Sequence, residues 1–180
     1  IGPHRLGGAL LVDHRARLVH AEGRDAEGDV LEGLDEDPAE SEHDDRAEHR
    51  VAHHLAQGFD SLQEVKMRVG ALPAFPTNSL KYNLTWSVDG LINEYCHPCE
   101  AIRGGRNIEV LPLEGMEHFS LDGTEYEAFN TSGGLGTLCE SLAGRVRTLN
   151  YRTIRYPGHA AIMKALLHDL RLKDRRDVLA

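Results

Sequence analysis

The amino-acid sequence predicts an α+β fold: a mostly antiparallel or mixed sheet with helices packed on it, preceded by an irregular or disordered N-terminal segment. Three observations predict it. Val65, Met67 and Val69 alternate with Lys66 and Arg68, the period of a half-buried strand. Asp122-Gly123 interrupts the β-favouring run His118 to Phe129, a strong hairpin signal. Ile162, Met163, Leu166, Leu167 and Leu170 recur at helical spacing after Pro157-Gly158.

The remaining elements follow in order. Val51, Leu55 and Phe59, spaced by four, predict a helix. The strand through Val65 to Val69 ends before Pro73 and Pro76. Leu80 to Trp86 is β-favouring and predicts a strand. Leu91 to Tyr95 predicts a short helix, with Ser87 or Asp89 accepting a hydrogen bond from a free backbone N–H as its cap. Ala101-Ile102 and Ile108 to Leu111 predict strands about the turn Arg103-Gly104-Gly105-Arg106. Ser132 to Leu142 predicts a helix stopped by Gly144, and Val146 to Tyr156 a strand. Lys173 to Ala180 reads as a frayed tail.

A length of 180 residues suits one domain, or one domain with an extension. No run of about eighteen apolar residues predicts a membrane span. Three cysteines form no even disulfide framework, and Ile1-Gly2-Pro3-His4 opens no signal-peptide pattern, so a cytoplasmic, reduced setting is expected. The net charge of −9 argues against a nucleic-acid partner. That charge is local. Glu22 to Glu48 holds thirteen acidic residues and two Arg, a balance of −11, leaving +2 for the rest. The first 58 residues contain no aromatic residue, Lys, Thr, Asn, Met or Cys, but seven of the eleven His. The chain therefore divides into an acidic low-complexity segment (1–50), an ordered domain (51–172) and a tail (173–180). Two explanations of the first segment stay open. It is an acidic extension with too little apolar surface to offset chain entropy. Or it is a GC-rich coding stretch translated in the wrong frame and joined to the true frame near Arg50, which the missing Lys, Asn, Phe and Tyr favour because their codons are AT-rich.

Three constellations suit the binding of a small amino acid. Trp86, Ser87, Asn93, Glu94 and Tyr95 combine a flat apolar wall with donors and acceptors for a carboxylate and an ammonium. Phe129 to Leu138 places Thr131, Ser132 and Gly133 in a glycine-rich opening whose backbone N–H groups suit a carboxylate or phosphate. Its spacing is not that of a dinucleotide fingerprint. In Arg155-Tyr156-Pro157-Gly158-His159, Arg155 offers a bidentate fork and His159 a proton carrier, with Lys81 a further acid–base candidate. Each has a plainer structural alternative: core aromatics, tight glycine turns, a structural His. Cys96-His97-Pro98-Cys99 looks like a metal half-site, but zinc wants four ligands and Cys139 stands alone, so two buried thiols near a turn are the better reading. His49 and His53, at i and i+4, arise easily by chance in so His-rich a segment. No metal is expected.

Four separated blocks carry a resemblance: Met67-Arg68-Val69-Gly70-Ala71-Leu72-Pro73, Tyr82 to Cys99, Glu125 to Leu142, and Tyr151 to His159. In this order, from about Leu55 to Leu172, they resemble the C-terminal, substrate-binding and dimerisation domain of the saccharopine dehydrogenase family. The resemblance implies an NAD(P)-dependent oxidoreductase acting on a C–N bond of an amino acid such as saccharopine or lysine. It also implies a homodimer, and NAD or NADP bound by a domain upstream. No Gly-x-Gly-x-x-Gly between strand and helix occurs ahead of residue 51, so this chain alone is expected neither to bind the cofactor nor to turn over. Saccharopine-specific members tend to carry an Arg after the Trp-Ser motif. Here Val88-Asp89-Gly90 follows, which favours an amine-bearing substrate and a lysine 6-dehydrogenase-like member. The competing expectation is a non-catalytic α+β module that dimerises through its sheet and carries an acidic extension.

Overall fold

Period-two patterning builds the centre of the sheet. The computed structural model describes residues 6–12, 16–24, 52–54, 56–57, 59, 61–84 and 87–175, of which 6–12, 16–24 and 61 are backbone alone. Strands β1 (Leu6–Val12), β2 (Ala16–Arg24) and β3 (Ser61–Gly70) run in antiparallel sequence. Strands β4 (Cys99–Arg103) and β5 (Arg106–Val110) form one hairpin, and β6 (Glu117–Leu121) and β7 (Thr124–Phe129) another. Strand β8 (Val146–Arg155) joins them all. It pairs in parallel with β3, Val65 opposite Leu149 and Met67 opposite Tyr151. Its other edge is shared. Thr148 and Leu149 pair with β4, while Thr153 to Arg155 pair with β7. The sheet is thus mixed and mostly antiparallel, as its patterning predicts.

Helices α1 (Val88–Cys96), α2 (Leu138–Ser141) and α3 (His159–Lys164) accompany it. Residues 52–54 and 56–57 are helical too, with Ala52 and Ala56 buried, while Val51 and Leu55 lie outside the described residues. Within the N-terminal segment expected to be irregular, β1 and β2 extend the sheet; residues 25–51 lie outside the described residues. Both hairpin turns have the left-handed backbone pair that a two-residue turn needs: φ 60° and 76° at Gly104 and Gly105, 50° and 79° at Asp122 and Gly123.

Three expectations are corrected. Residues 80–84 are not a strand. Asn78 closes a turn through its carbonyl and side chain, and Lys81 sits at φ 52°, which no ladder accommodates. The helix expected over Ser132 to Leu142 contracts to Leu138–Ser141, because Gly133 and Gly136 take φ 86° and 47° and coil the chain before it. Leu170 is exposed rather than on the inner side. Helix α3 widens into a π-helical turn, Ala165–Asp169, whose Leu170 N–H donates to the Ala165 carbonyl and shifts the helical phase.

The core falls into two clusters. Val65, Met67, Ile102, Val146 and Leu149 of the sheet pack with Leu135, Leu138, Cys139 and Leu142. Tyr82, Tyr95, Phe129, Met163 and Leu167 centre the second cluster, where α1 and α3 meet the end of β8. In the first, Gly134 lies flat on the Tyr151 ring: a Cβ there would meet ring carbons at 2.3–2.4 Å. Gly134→Ala is expected to destabilise the domain by about 1–3 kcal/mol, read as a lowered urea midpoint at unchanged slope. Wild-type stability in the variant would show that the ring yields freely.

Candidate functional site

The site grows from the end of β8. Strand parity puts Thr153 and Arg155 on the same face as Phe129 of β7, the face that α1 and α3 cover. Arg155 is therefore driven inside, at 4% exposure. Its Nε–H donates to Tyr95 Oη at 3.1 Å, and Nη1 donates to the Ile154 carbonyl at 2.8 Å. The Tyr82 ring lies over the guanidinium, 4.4 Å from the ring centre. Tyr95 Oη is 3.0 Å from His159 Nε2, and His159 Nδ1 is 2.9 Å from the Leu80 carbonyl.

These partners fix the protons. A carbonyl only accepts, so His159 carries its proton on Nδ1 and leaves Nε2 as an acceptor. Tyr95 donates to Nε2 and accepts from Arg155. The chain of donors thus runs Arg155 to Tyr95 to His159 to Leu80. Electrostatics agrees. Burial, supported by the positive charge of Arg155, holds His159 down at about 4, although the Leu80 hydrogen bond opposes this. Burial pushes Tyr95 up to about 12, against the pull of Arg155. Both rings are neutral near pH 7. Phe129 stacks on His159 at 6.3 Å and closes the node from beneath.

Arg155 has no counter-ion among the described residues. Among the described residues no carboxylate oxygen lies within 4.0 Å of it. Two of its five N–H donors are engaged, leaving three uncommitted. Glu127, its cross-strand neighbour, is committed elsewhere. The Glu127 carboxylate accepts from the Gly158 and Ala160 N–H groups at 2.8 and 2.7 Å and so caps α3.

The glycine loop forms the second part. A cavity of about 230 Å³ lies between Pro98 and Glu100 on one side and Thr131 and residues 133–136 on the other. The loop is tied to α1, since Ser132 N–H donates to the Glu94 carbonyl at 3.0 Å and Ser132 Oγ to the Asn93 carbonyl at 3.3 Å. The Thr131 and Thr153 hydroxyls are 2.7 Å apart, which links the cavity to β8 two residues before Arg155. Gly133 is exposed at φ 86°.

The structure thus brings Tyr95, Arg155 and His159 into one node, and sets Asn93, Glu94, Thr131, Ser132 and Gly133 beside it. Ser87 and Asp89 stand apart at the start of α1, where Ser87 Oγ accepts from the Gly90 N–H at 3.2 Å. Lys81 is exposed and donates to the Pro157 carbonyl at 3.3 Å. Trp86 lies outside the described residues. Cys99 and Cys139 are buried thiols that burial pushes up to about 12 and 11, far from thiolates at neutral pH.

Sequence reasoning missed Tyr82, Glu127 and Thr153. Glu127 and Thr153 had a signal, since each shares strand parity with, or pairs opposite, Phe129. It also missed the cluster on the opposite face of the sheet. There Arg68 is buried, its Nε and Nη2 held bidentately by Glu117 at 2.7 and 2.8 Å, and Arg152 pairs with the same carboxylate.

Comparison with known proteins agrees with this architecture. The family model described as the saccharopine dehydrogenase C-terminal domain matches residues 40–178. The fold is similar to that of an apo, histidine-tagged saccharopine dehydrogenase (L-Glu forming) from Saccharomyces cerevisiae, with a TM-score of 0.54 at 20% identity. That similarity covers 72% of this chain and 30% of the yeast chain. With most of its length matched by the family, the chain belongs to the saccharopine dehydrogenase family and carries its C-terminal domain.

Proposed function

We propose that this chain is the substrate-binding part of an NAD(P)-dependent oxidoreductase acting on a C–N bond of an amino acid of the saccharopine or lysine type. The observation that carries the reading is the buried Arg155, which has no carboxylate within 4.0 Å among the described residues. A buried cation is costly unless a counter-charge completes it. A substrate carboxylate is the ligand that a planar fork with three uncommitted donors suits. Tyr95 holds the fork in place, and His159 holds Tyr95. On this geometry His159 serves as a positioning residue, because its one ring proton is committed to the Leu80 carbonyl and its Nε2 to the Tyr95 hydroxyl. The glycine-loop cavity, with Glu100 at its wall, suits the amine-bearing remainder of the substrate.

A nicotinamide supplies hydride chemistry when bound. The described residues do not fit one. The glycine loop leads into a helix of only four residues, Leu138–Ser141, too short to seat a pyrophosphate. A homodimer belongs to the same proposal. The sheet face bearing Arg68, Glu117 and Arg152 also carries the stacked Tyr126 and Tyr156 rings, 5.6 Å apart, a mixed polar and aromatic surface of the sort partners bury. Calorimetric titration tests the reading. The chain is expected to bind L-lysine or L-saccharopine and to show no micromolar affinity for NADPH or NADH. Micromolar nucleotide binding without amino-acid binding would overturn it.

A further inference from the structure

We infer that Tyr82 is a gate over the Arg155 site and that Asn78 latches it. The inference rests on the reading of Arg155 as a carboxylate clamp and concerns how a carboxylate arrives there. At 4% exposure Arg155 receives no ligand until a cover leaves it. The group on its face is the Tyr82 ring, which also meets His159 edge-on at 5.5 Å. That ring is delivered by residues 71–84, a strap without helix or strand.

Hydrogen bonds tie the strap to the elements beneath it. Tyr156 Oη donates to the Pro73 carbonyl at 2.9 Å, His159 Nδ1 to the Leu80 carbonyl at 2.9 Å, and Lys81 Nζ to the Pro157 carbonyl at 3.3 Å. Its tip is shaped by Asn78. The Asn78 carbonyl accepts from Lys81 N–H at 3.0 Å, Nδ2 donates to the Tyr82 carbonyl at 2.8 Å, and Oδ1 accepts from the Tyr82 N–H at 3.3 Å. Lys81, left-handed at φ 52°, makes the tip strained. Tyr82 is itself buried in the second cluster, with Leu72 and Leu80 of the strap packed against it, so opening costs that burial, and the Asn78 bonds at the exposed tip set how often it occurs. An incoming carboxylate replaces the aromatic face by an ion pair, while Tyr95 and the Ile154 carbonyl keep the guanidinium oriented.

Arginine modification by phenylglyoxal, resolved by peptide mass spectrometry on the full chain, tests the gate. Asn78 is exposed, so Asn78→Ala leaves the core intact. It is expected to speed modification of Arg155 by about fivefold, the effect of losing one or two net hydrogen bonds on an opening equilibrium. Tyr82→Leu is expected to act in the same direction. Arg68, equally buried but on the opposite face of the sheet and held by Glu117, is the internal control and is expected to stay slow. Glutarate, as a carboxylate probe, is expected to protect Arg155 in both proteins. An unchanged Arg155 rate in Asn78→Ala, or a parallel rise at Arg68, overturns the gate. If glutarate protects wild type while the variant rates match, the gate fails and the clamp survives. If Asn78→Ala speeds modification without glutarate protection, the strap covers Arg155 but admits no carboxylate, and both the gate to a clamp and the clamp itself are overturned.

Discussion

Arg155→Lys is expected to weaken amino-acid binding by about 30- to 100-fold while leaving the fold intact. The magnitude follows from the geometry. A bidentate, charge-assisted pair contributes about 2–3 kcal/mol, and a lysine ammonium cannot reproduce the planar fork. It also cannot donate to Tyr95 and the Ile154 carbonyl and still reach a ligand in the same direction. Arg155→Met separates function from stability. Most buried charges, once removed, leave an opposite charge stranded, but no described carboxylate lies within 4.0 Å of Arg155, and buried Glu127 is held by the Gly158 and Ala160 N–H groups. Tyr95 keeps its hydrogen bond to His159, and Tyr82 keeps an apolar neighbour. Arg155→Met is therefore expected to abolish detectable binding of L-lysine and L-saccharopine and to leave Tm unchanged or raise it. Calorimetric titration and thermal unfolding of the same samples check both halves. Loss of several kcal/mol of stability with binding retained would make Arg155 a structural cation.

Arg68 shows where such a result would come from. It is equally buried, but Glu117 holds it bidentately and Asn150 Oδ1 accepts a further bond at 2.7 Å. Burial alone would raise the Glu117 carboxyl, yet Arg68 and Arg152 together hold it below its usual range. Removing Arg68 would take the bidentate partner from that carboxylate and leave it to Arg152 alone, a dependence that no described carboxylate within 4.0 Å has on Arg155. Two arginines on one sheet thus differ in kind, one completed by the protein and one left open.

Local patterning made the sheet legible and the site only partly so. The alternation of Val65, Met67 and Val69 placed β3 correctly, but the same alternation sent Arg68 toward water. Its burial depends on Glu117, forty-nine residues away, which no local period reports. Residues 80–84, the described part of the run Leu80 to Trp86, show the reverse failure. They favour a strand, yet Asn78 closes a turn while His159 and Arg155 capture Leu80 and Tyr82. Contacts from distant elements decided that conformation, as they commonly do for β propensity. The run Ser132 to Leu142 before Gly144 predicts one helix. The left-handed glycines turned the first half into a cavity wall instead. Arg155, Tyr95 and His159 were each visible as chemistry. That they form one chain of hydrogen bonds required the crossing of α1 over the end of β8.

The same chain of hydrogen bonds makes acid stability a second large expected effect. His159 is held at about 4, below its ordinary 6.5, chiefly by burial. Between those values the unfolded chain takes up a proton that the folded chain refuses. The unfolded state therefore binds more protons, so stability falls as pH falls. The stabilisation from the neutral ring is whole above pH 6.5, declines from there toward pH 4, and changes no further below that. The whole window corresponds to about 3 kcal/mol, at 1.36 kcal/mol per pH unit. Urea unfolding between pH 7.5 and 4.5 is expected to show most of this loss in wild type. Glu117 works in the same sense but at lower pH, because its carboxyl is held below 4.5. His159→Gln isolates the histidine, since an amide can donate toward Leu80 and accept from Tyr95 without titrating. The variant is expected to begin less stable at pH 7.5 and to lose little more down to pH 5, so that the two curves converge. Curves that stay parallel would mean that the acid sensitivity lies elsewhere and that the His159 ring protonates without leaving Tyr95.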